Sequence, residues 1–300
     1  MQSLSVSPPP TVAAIVLGWN LVEESRACLA SLEAQGYEGL QFIYVDNGST
    51  DGAPARIAEE FPNAAVIALP RNEGIAGGYN AGLERVRALD AEYAFILNND
   101  TIVAPGALAA LVAAARDNPR AGLLMPKIPF EGDRGRIWSA GQRRRGFPPG
   151  VAMIGLRQID GPAYAEQRDL EYAPSCALLI SRACLETVVP AFDPRYFFYY
   201  SDTEYCERVR RAGLTIRYVP EAVVYHKVSL STTRSAHPAP WYYEMGRSTA
   251  RYYTHYMPPV LLTLGSFGLW FLARETIQGN ARRLPLFLRG IRDEMIGRPP

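Results

Sequence analysis

The chain is predicted to be an α/β protein built on a mostly parallel sheet with helices on both faces. Two observations predict it. Short apolar runs alternate with amphipathic stretches from Val12 to Arg116, the pattern of repeated strand–helix–strand units. Several of those runs also end abruptly in polar clusters, as strands do where an open sheet presents its carboxyl edge to a ligand.

Taken in order, Val12 to Leu17 (VAAIVL) reads as a buried strand, followed by Asn20 and a helix over Glu23 to Gln35 with Cys28, Leu29 and Leu32 at helical spacing. Leu40 to Val45 is a second strand and breaks off in DNGSTDG, Asp46 to Gly52. A helix over Ala53 to Glu60 and a strand over Ala65 to Leu69 follow. Arg71 to Gly74 is a loop, and Gly77 to Leu89 a helix with a glycine-rich start. Tyr93 to Leu97 is a fourth strand ending in Asn98-Asn99-Asp100-Thr101, and Pro105 sits in the first turn of a helix reaching Arg116.

The texture changes after Leu124. Pro126 to Gly161 mixes Pro, Gly and charges with few periodic apolar positions and reads as irregular strands and loops. Order returns with a strand at Ala177 to Ser181 and a helix at Arg182 to Val188. A helix over Asp202 to Gly213, stopped by its glycine, precedes two short strands, Thr215 to Pro220 and Ala222 to Tyr225, with His226 closing the second. Trp241 to Tyr256 is an aromatic-rich amphipathic helix. Val260 to Ala273 is the most apolar stretch, 14 residues long, short of the roughly 20 that a simple spanning helix needs. Arg274, Arg282, Arg283, Arg289 and Arg292 follow it. Two readings stay open: a helix lying in a membrane interface, or one packed on the domain or on a second copy.

Composition sets outer bounds. With 300 residues, 48% of them apolar and 20% charged, the chain has material for a large core. A formal charge of +1 gives no global argument for nucleic acid, so electrostatic recognition must be local, as in Arg143-Arg144-Arg145. Cys28, Cys176, Cys184 and Cys206 form no CxxC pair and fit no zinc site; they read as buried thiols in a reducing compartment. Met1 to Pro10 is rich in Ser and Pro and lacks the apolar core of a secretory signal, so the catalytic part is expected in the cytoplasm.

Four polar clusters carry the chemistry. Asp46 and Asn47 sit in a turn where a carboxylate can accept the N3 proton of uracil or thymine, although Asp-Asn-Gly-Ser is also ordinary turn chemistry. In RNEGIAGGYNAG, Gly77 permits close backbone approach and Asn80 lies one turn on, yet glycines there also serve tight helix–sheet packing. Asn98, Asn99 and Asp100 offer oxygen ligands that suit Mg²⁺ or Mn²⁺ together with substrate phosphates. Asp202, at a helix start behind four aromatic residues, is either an N-cap or a carboxylate tuned for proton abstraction. His226, at a strand end, is a further metal candidate.

In this order the segments resemble family 2 glycosyltransferases of the GT-A fold, closest to bacterial rhamnosyltransferase-like members, from about Val12 to Arg251. The resemblance rests on DNGSTDG, the N-x-G-x-A-G-G-x-N run from Asn72 to Asn80, LNNDT and SDTEYCERVRRAG. It implies a mixed, mostly parallel sheet with a C-terminal helical extension. Asn20, Asp46, Asn47, Asn72, Gly77, Asn80, Asn98, Asn99 and Asp100 would bind the nucleotide sugar. Asp100 and His226 would hold a divalent cation. Asp202 would be the base that deprotonates the acceptor, with Glu204 as runner-up because Ser201 replaces the acidic partner of the family's Glu-Asp pair. Ser175, Cys176 and Tyr200 would border the acceptor. The implied donor is a dTDP- or UDP-linked sugar and the acceptor a glycan or lipid-linked glycan, at the inner face of the cytoplasmic membrane if the apolar stretch meets lipid. The expected layout is a disordered tail at 1–10, a nucleotide-sugar subdomain at 11–125, an acceptor and catalytic subdomain at 126–235 and a helical extension at 236–300. Two other functions compete: a catalytically silent nucleotide-sugar scaffold, and a nucleotidyltransferase, which lacks its usual signature after the first strand.

Overall fold

A computed structural model describes residues 9–228 and 239–298. Residues 1–8 of the expected tail, and the boundary expected at 235/236, lie outside them. The first half alternates as expected: β1 (Val12–Gly18), α1 (Val22–Glu33), β2 (Leu40–Asp46), α2 (Ala53–Glu60), β3 (Ala64–Ala68), α3 (Gly74–Ala88), β4 (Tyr93–Asn98), β5 (Thr101–Val103) and α4 (Ala107–Asp117). Next come β6 (Ala121–Pro129), β7 (Ile137–Ser139), the hairpin β8 (Gln142–Arg145) and β9 (Gly150–Met153), β10 (Arg168–Asp169) and β11 (Ala177–Ser181). The chain continues through α5 (Arg182–Thr187), α6 (Ser201–Arg211), β12 (Thr215–His226), α7 (Ala239–Tyr256), α8 (Val260–Ile277) and α9 (Leu284–Met295).

The main sheet runs β10-β12-β6-β11-β4-β1-β2-β3, with β5 joined to β12 and β7 to β6. Every residue of β1 is buried, as befits a central parallel strand covered on both faces. Register then fixes one edge. Gly18 of β1 pairs with Asp46 of β2, and Leu17 with Asn98 of β4. Antiparallel β11 pairs Ala177 with Leu97, which brings Ser175 and Cys176 to the same edge. β5 pairs His226 with Thr101, setting Asp100 beside the end of β12. The chain steps from β1 outward to β3 and then back to β4, so the switch in strand order opens a crevice between the ends of β1 and β4.

Four expectations change. Strand β6 runs through the boundary expected at 125/126, so the two expected subdomains share one sheet. The two strands expected over 215–225 are one, β12, because a register shift between Val219 and Val223 absorbs Pro220 as a bulge. Helix α3 begins at Gly74 rather than Gly77, and α8 extends to 18 residues, four more than its apolar core.

Helices α7 to α9 pack around a second apolar cluster that includes Tyr252, Tyr253, Phe271 and Phe287. Two glycines let α7 and α9 touch backbone to backbone: a Cβ on Gly246 would lie 2.1 Å from the Phe287 carbonyl oxygen, and one on Gly290 2.1 Å from that of Tyr243. Gly290→Ala therefore forces the helices apart. The cost of overpacking, about 1–3 kcal/mol, exceeds the helix-propensity gain of about 1 kcal/mol. Thermal unfolding should show a lower Tm for this variant; an unchanged Tm would mean that the helices are not held at this contact.

Candidate active site

At one end of the crevice, Asp46 is buried at the tip of β2. Its Oδ2 accepts the Ser49 N–H at 2.9 Å, while the buried Oδ1 has no hydrogen-bond partner. A carboxylate oxygen taken out of water with nothing to accept is costly unless a ligand supplies the donor. The surrounding amides are hydrogen-bonded within the protein. The Asn20 Oδ1 accepts the Thr50 N–H at 2.9 Å, and the Asn20 N–H donates to Ser49 Oγ at 2.7 Å. Asn47 donates to Asn72 Oδ1 and the Gly74 carbonyl and accepts from the Glu73 N–H; the Asn72 Oδ1 also accepts from the Gly74 N–H. The side chains of Asn20 and Asn47 thus brace the Asp46 turn.

The glycine-rich start of α3 serves packing. A Cβ on Gly78 would stand 2.4 Å from Leu17 Cδ1, so α3 can lie this close to β1 only without side chains there. Gly77 sits against the side chain of Glu73. Asn80 is pinned across the fold, donating to the Phe192 carbonyl at 2.7 Å and accepting the Phe192 N–H at 3.1 Å.

In the middle of the crevice, Asp100 and His226 are both buried, with His226 Nε2 3.2 Å from Asp100 Oδ1. The buried His226 Nδ1 has no hydrogen-bond partner. One carboxylate and one imidazole at this spacing fit a divalent cation, since ligands at right angles on a cation with bonds of about 2.1 Å lie about 3 Å apart. No group of three or more His, Cys, Asp or Glu that could hold a metal occurs among the described residues, so substrate phosphates and water would have to complete the shell. Asn98 accepts the Tyr79 hydroxyl at 2.7 Å, and Asn99 donates to the Asn20 carbonyl and Ser25 Oγ. Lys227 pairs with Glu24 in the first turn of α1 and ties the end of β12 to that helix.

At the far end, Asp202 lies half-buried in the first turn of α6. Its Oδ1 accepts the Thr203 N–H at 2.7 Å and the Thr203 hydroxyl at 3.3 Å. Desolvation raises its carboxyl above the ordinary aspartate value, with backbone N–H groups of Thr203 and Ser175 opposing the shift. Cys176 lies in the fields of both Asp100 and Asp202, and its thiol is held well up, first by burial and then by those two charges. Asp100 and Asp202 thus both act on Cys176, with the Ser175 backbone beside Asp202.

Two expected residues turn elsewhere. Glu204, the runner-up base, is buried and accepts from Nε and Nη2 of Arg208 at 2.7 and 2.9 Å and from the Tyr256 hydroxyl at 2.9 Å. Its lone pairs are committed to joining α6 and α7. Tyr200, expected at the acceptor, stacks on Tyr252 with ring centroids 4.8 Å apart and anchors the C-terminal helices. One residue of the site was missed. Tyr79 donates to Asn98 Oδ1 at 2.7 Å and lies 3.1 Å from the Ser175 carbonyl, joining the end of β4 to the segment before β11. Its only sequence signal is a large phenol directly after two glycines. All four cysteines are buried and free, as expected.

The family model for glycosyl transferase family 2 matches residues 20–179. The N-acetylglucosaminyl-diphospho-decaprenol L-rhamnosyltransferase of Mycobacterium tuberculosis is 28% identical over 229 residues, covering 69% of this chain and 72% of that protein. Among solved structures, GalNAc-T7 with UDP, GalNAc and Mn²⁺ aligns over 73% of this chain and 44% of its own length, at a TM-score of 0.59 and 15% identity. The mannosyltransferase PcManGT from Pyrobaculum calidifontis, in complex with GDP-Man and Mn²⁺, aligns over 99% of this chain and 79% of its own, at 0.57 and 19%. These two likenesses are of fold. With its match across more than half the chain, the protein belongs to glycosyl transferase family 2, has the GT-A fold and is rhamnosyltransferase-like.

Proposed function

We propose that the protein is an inverting, cation-dependent transferase that takes a dTDP- or UDP-linked sugar as donor and glycosylates a hydroxyl of a lipid-linked glycan. The observation that carries this reading is Asp202, a half-buried carboxylate of raised basicity whose charge, like that of Asp100 in the Asp100–His226 pair, acts on the buried Cys176 thiol. In the reaction, Asp202 takes the acceptor proton as that oxygen bonds to the anomeric carbon and the bond to the nucleotide diphosphate breaks. Asp100 and His226 would hold the cation, which when bound supplies Lewis-acid stabilisation of charge on the departing diphosphate. Asp46 presents its unpartnered Oδ1 to the N3–H of the base. The name of the mycobacterial relative supports rhamnose as the sugar and a lipid-diphosphate-linked acceptor. Product analysis tests the reaction type: free nucleoside diphosphate and a glycoside of inverted anomeric configuration are expected, and pyrophosphate as product would replace this reading with nucleotidyl transfer.

The role of Asp46 makes a selectivity prediction. Asp46→Asn removes a charged acceptor for a uracil or thymine N3–H and should weaken UDP or dTDP binding about 10- to 100-fold, the usual worth of a hydrogen bond to a charged group. A carboxamide can instead donate to the N3 of cytosine. Calorimetric titration with UDP and CDP should show the ratio of affinities moving toward CDP. If the ratio stays put, the base is read elsewhere.

A further inference from the structure

The C-terminal helices carry a surface that sugar transfer does not use. Leu261, Leu262, Leu269 and Ile277 of α8 are each at least 72% exposed. Leu261, Gly265, Leu269 and Ala273 follow one another at intervals of four, so the exposed side is a single stripe without a charge. On α9 and just beyond it, Leu288, Met295 and Ile296 add exposed apolar area. The opposite side of α8 buries Phe267, Phe271 and Glu275.

We propose that the α8–α9 unit is a membrane-docking surface that lies in the interface of an anionic phospholipid bilayer. Charge chooses the occupant. The acids of this segment are engaged by the protein: Glu275 accepts from the Tyr242 hydroxyl and Asn280, Asp293 from the Tyr243 hydroxyl and Arg292, and Glu294 from Arg247 and Arg251. Arg282, Arg289, Arg292 and Arg298, which follow α8 in the chain, are exposed, Arg289 and Arg292 also pairing with the buried Asp293. An exposed apolar helix face followed by exposed cations is complementary to acyl chains beneath anionic headgroups. A second copy would offer this stripe the same excess of arginines over acids, whereas an anionic headgroup layer offers the opposite charge.

Helix α8 is long and apolar enough to cross a bilayer by length and composition. Spanning, however, would pull Phe267 and Phe271 from the aromatic cluster and strip Glu275 of its Tyr242 and Asn280 partners. Lying in the plane keeps those contacts and gives only the open stripe to lipid. The surface deepens the proposed reading, since it would hold the crevice at the membrane that carries a lipid-linked acceptor, but docking itself needs no nucleotide sugar.

The test is co-sedimentation of the full chain with vesicles of phosphatidylcholine, alone or mixed with phosphatidylglycerol, in the absence of donor. The protein should sediment with the mixed vesicles and far less with the neutral ones. The double variant Leu262→Glu, Leu269→Glu should partition about tenfold less or worse, and Arg282→Gln about fivefold less. These side chains face solvent, so Tm and donor binding should hold at the wild-type level and the loss will not reflect unfolding. The proposal is overturned if the wild type ignores anionic vesicles, or if the variants bind as the wild type does. It is equally overturned if the leucine variant turns a dimer into a monomer with no change in partition, which would assign the stripe to a second copy. Protein that resists alkaline carbonate extraction would replace docking with spanning.

Discussion

Asp202→Asn is expected to bind donor as the wild type does and to lose about 10²–10⁴ in turnover, the usual contribution of a positioned base. The amide is nearly isosteric and keeps an oxygen for the Thr203 N–H, so α6 retains its first turn. Its pH behaviour separates catalysis from structure. Burial raises the folded-state carboxyl above the ordinary aspartate value, and only the ionised form can take a proton. Wild-type kcat should therefore fall on the acid side at a higher pH than an exposed aspartate would give, and the residual rate of the variant should lack that limb. Stability carries the opposite sign. A carboxyl whose pKa is raised on folding stabilises the protein below its unfolded pKa, and that contribution is lost as pH rises through the folded value. At neutral pH the wild type thus bears the cost of an ionised, desolvated group, and the variant should melt no lower. Near-normal turnover would move the base to another residue; lost turnover together with lost donor binding would make Asp202 structural.

The same residue shows what the sequence made legible. Asp46, Asp100, Asp202 and His226 were selected for their placement at the ends of apolar runs or the start of a helix, and register brings Asp46 and Asp100 to one sheet edge with His226 beside Asp100. The alternation from β1 to α4 was legible for the same reason, since a buried parallel strand is written locally as a run of apolar residues. The neighbouring amides were harder. Asn20, Asn47 and Asn80 look like ligand groups, yet each finds protein partners 25 or more residues away in sequence. An amide both donates and accepts, so its partner is decided by which loops meet in space.

Nonlocal pairing hid the remaining elements. β5 has three residues, and only its pairing with β12 makes it a strand. β12 looks interrupted because Pro220 cannot donate to a ladder, and the bulge that accommodates it depends on β6. Helix α9 is obscured by Gly290, a poor helix former whose value lies in how close α7 can come. Glu204 shows the converse: a carboxylate two residues from the proposed base is a plausible substitute in sequence, and the fold engages it with Arg208 and Tyr256.

Asp100→Ala should abolish the dependence of donor binding on a divalent cation and reduce turnover about 100-fold or more, since it removes the one carboxylate of the pair. The substitution should leave the fold intact, because the Lys227 N–H donates at 2.9 Å to the Asp100 carbonyl, which alanine keeps. Melting temperature gives a readout independent of turnover. Ligand that binds only the folded state adds about 2.7 kcal/mol at a hundred times its Kd, so the wild type with UDP should melt higher when Mn²⁺ is present. In Asp100→Ala the increment from Mn²⁺ should vanish, whereas Asp46→Asn should keep that increment and lose affinity for UDP itself. The two variants thereby divide the crevice into a base-reading end and a diphosphate-holding end. A cation-dependent shift that survives Asp100→Ala would mean that His226 and the diphosphate suffice without the carboxylate. Asp100 would then act chiefly to orient the imidazole through the 3.2 Å contact.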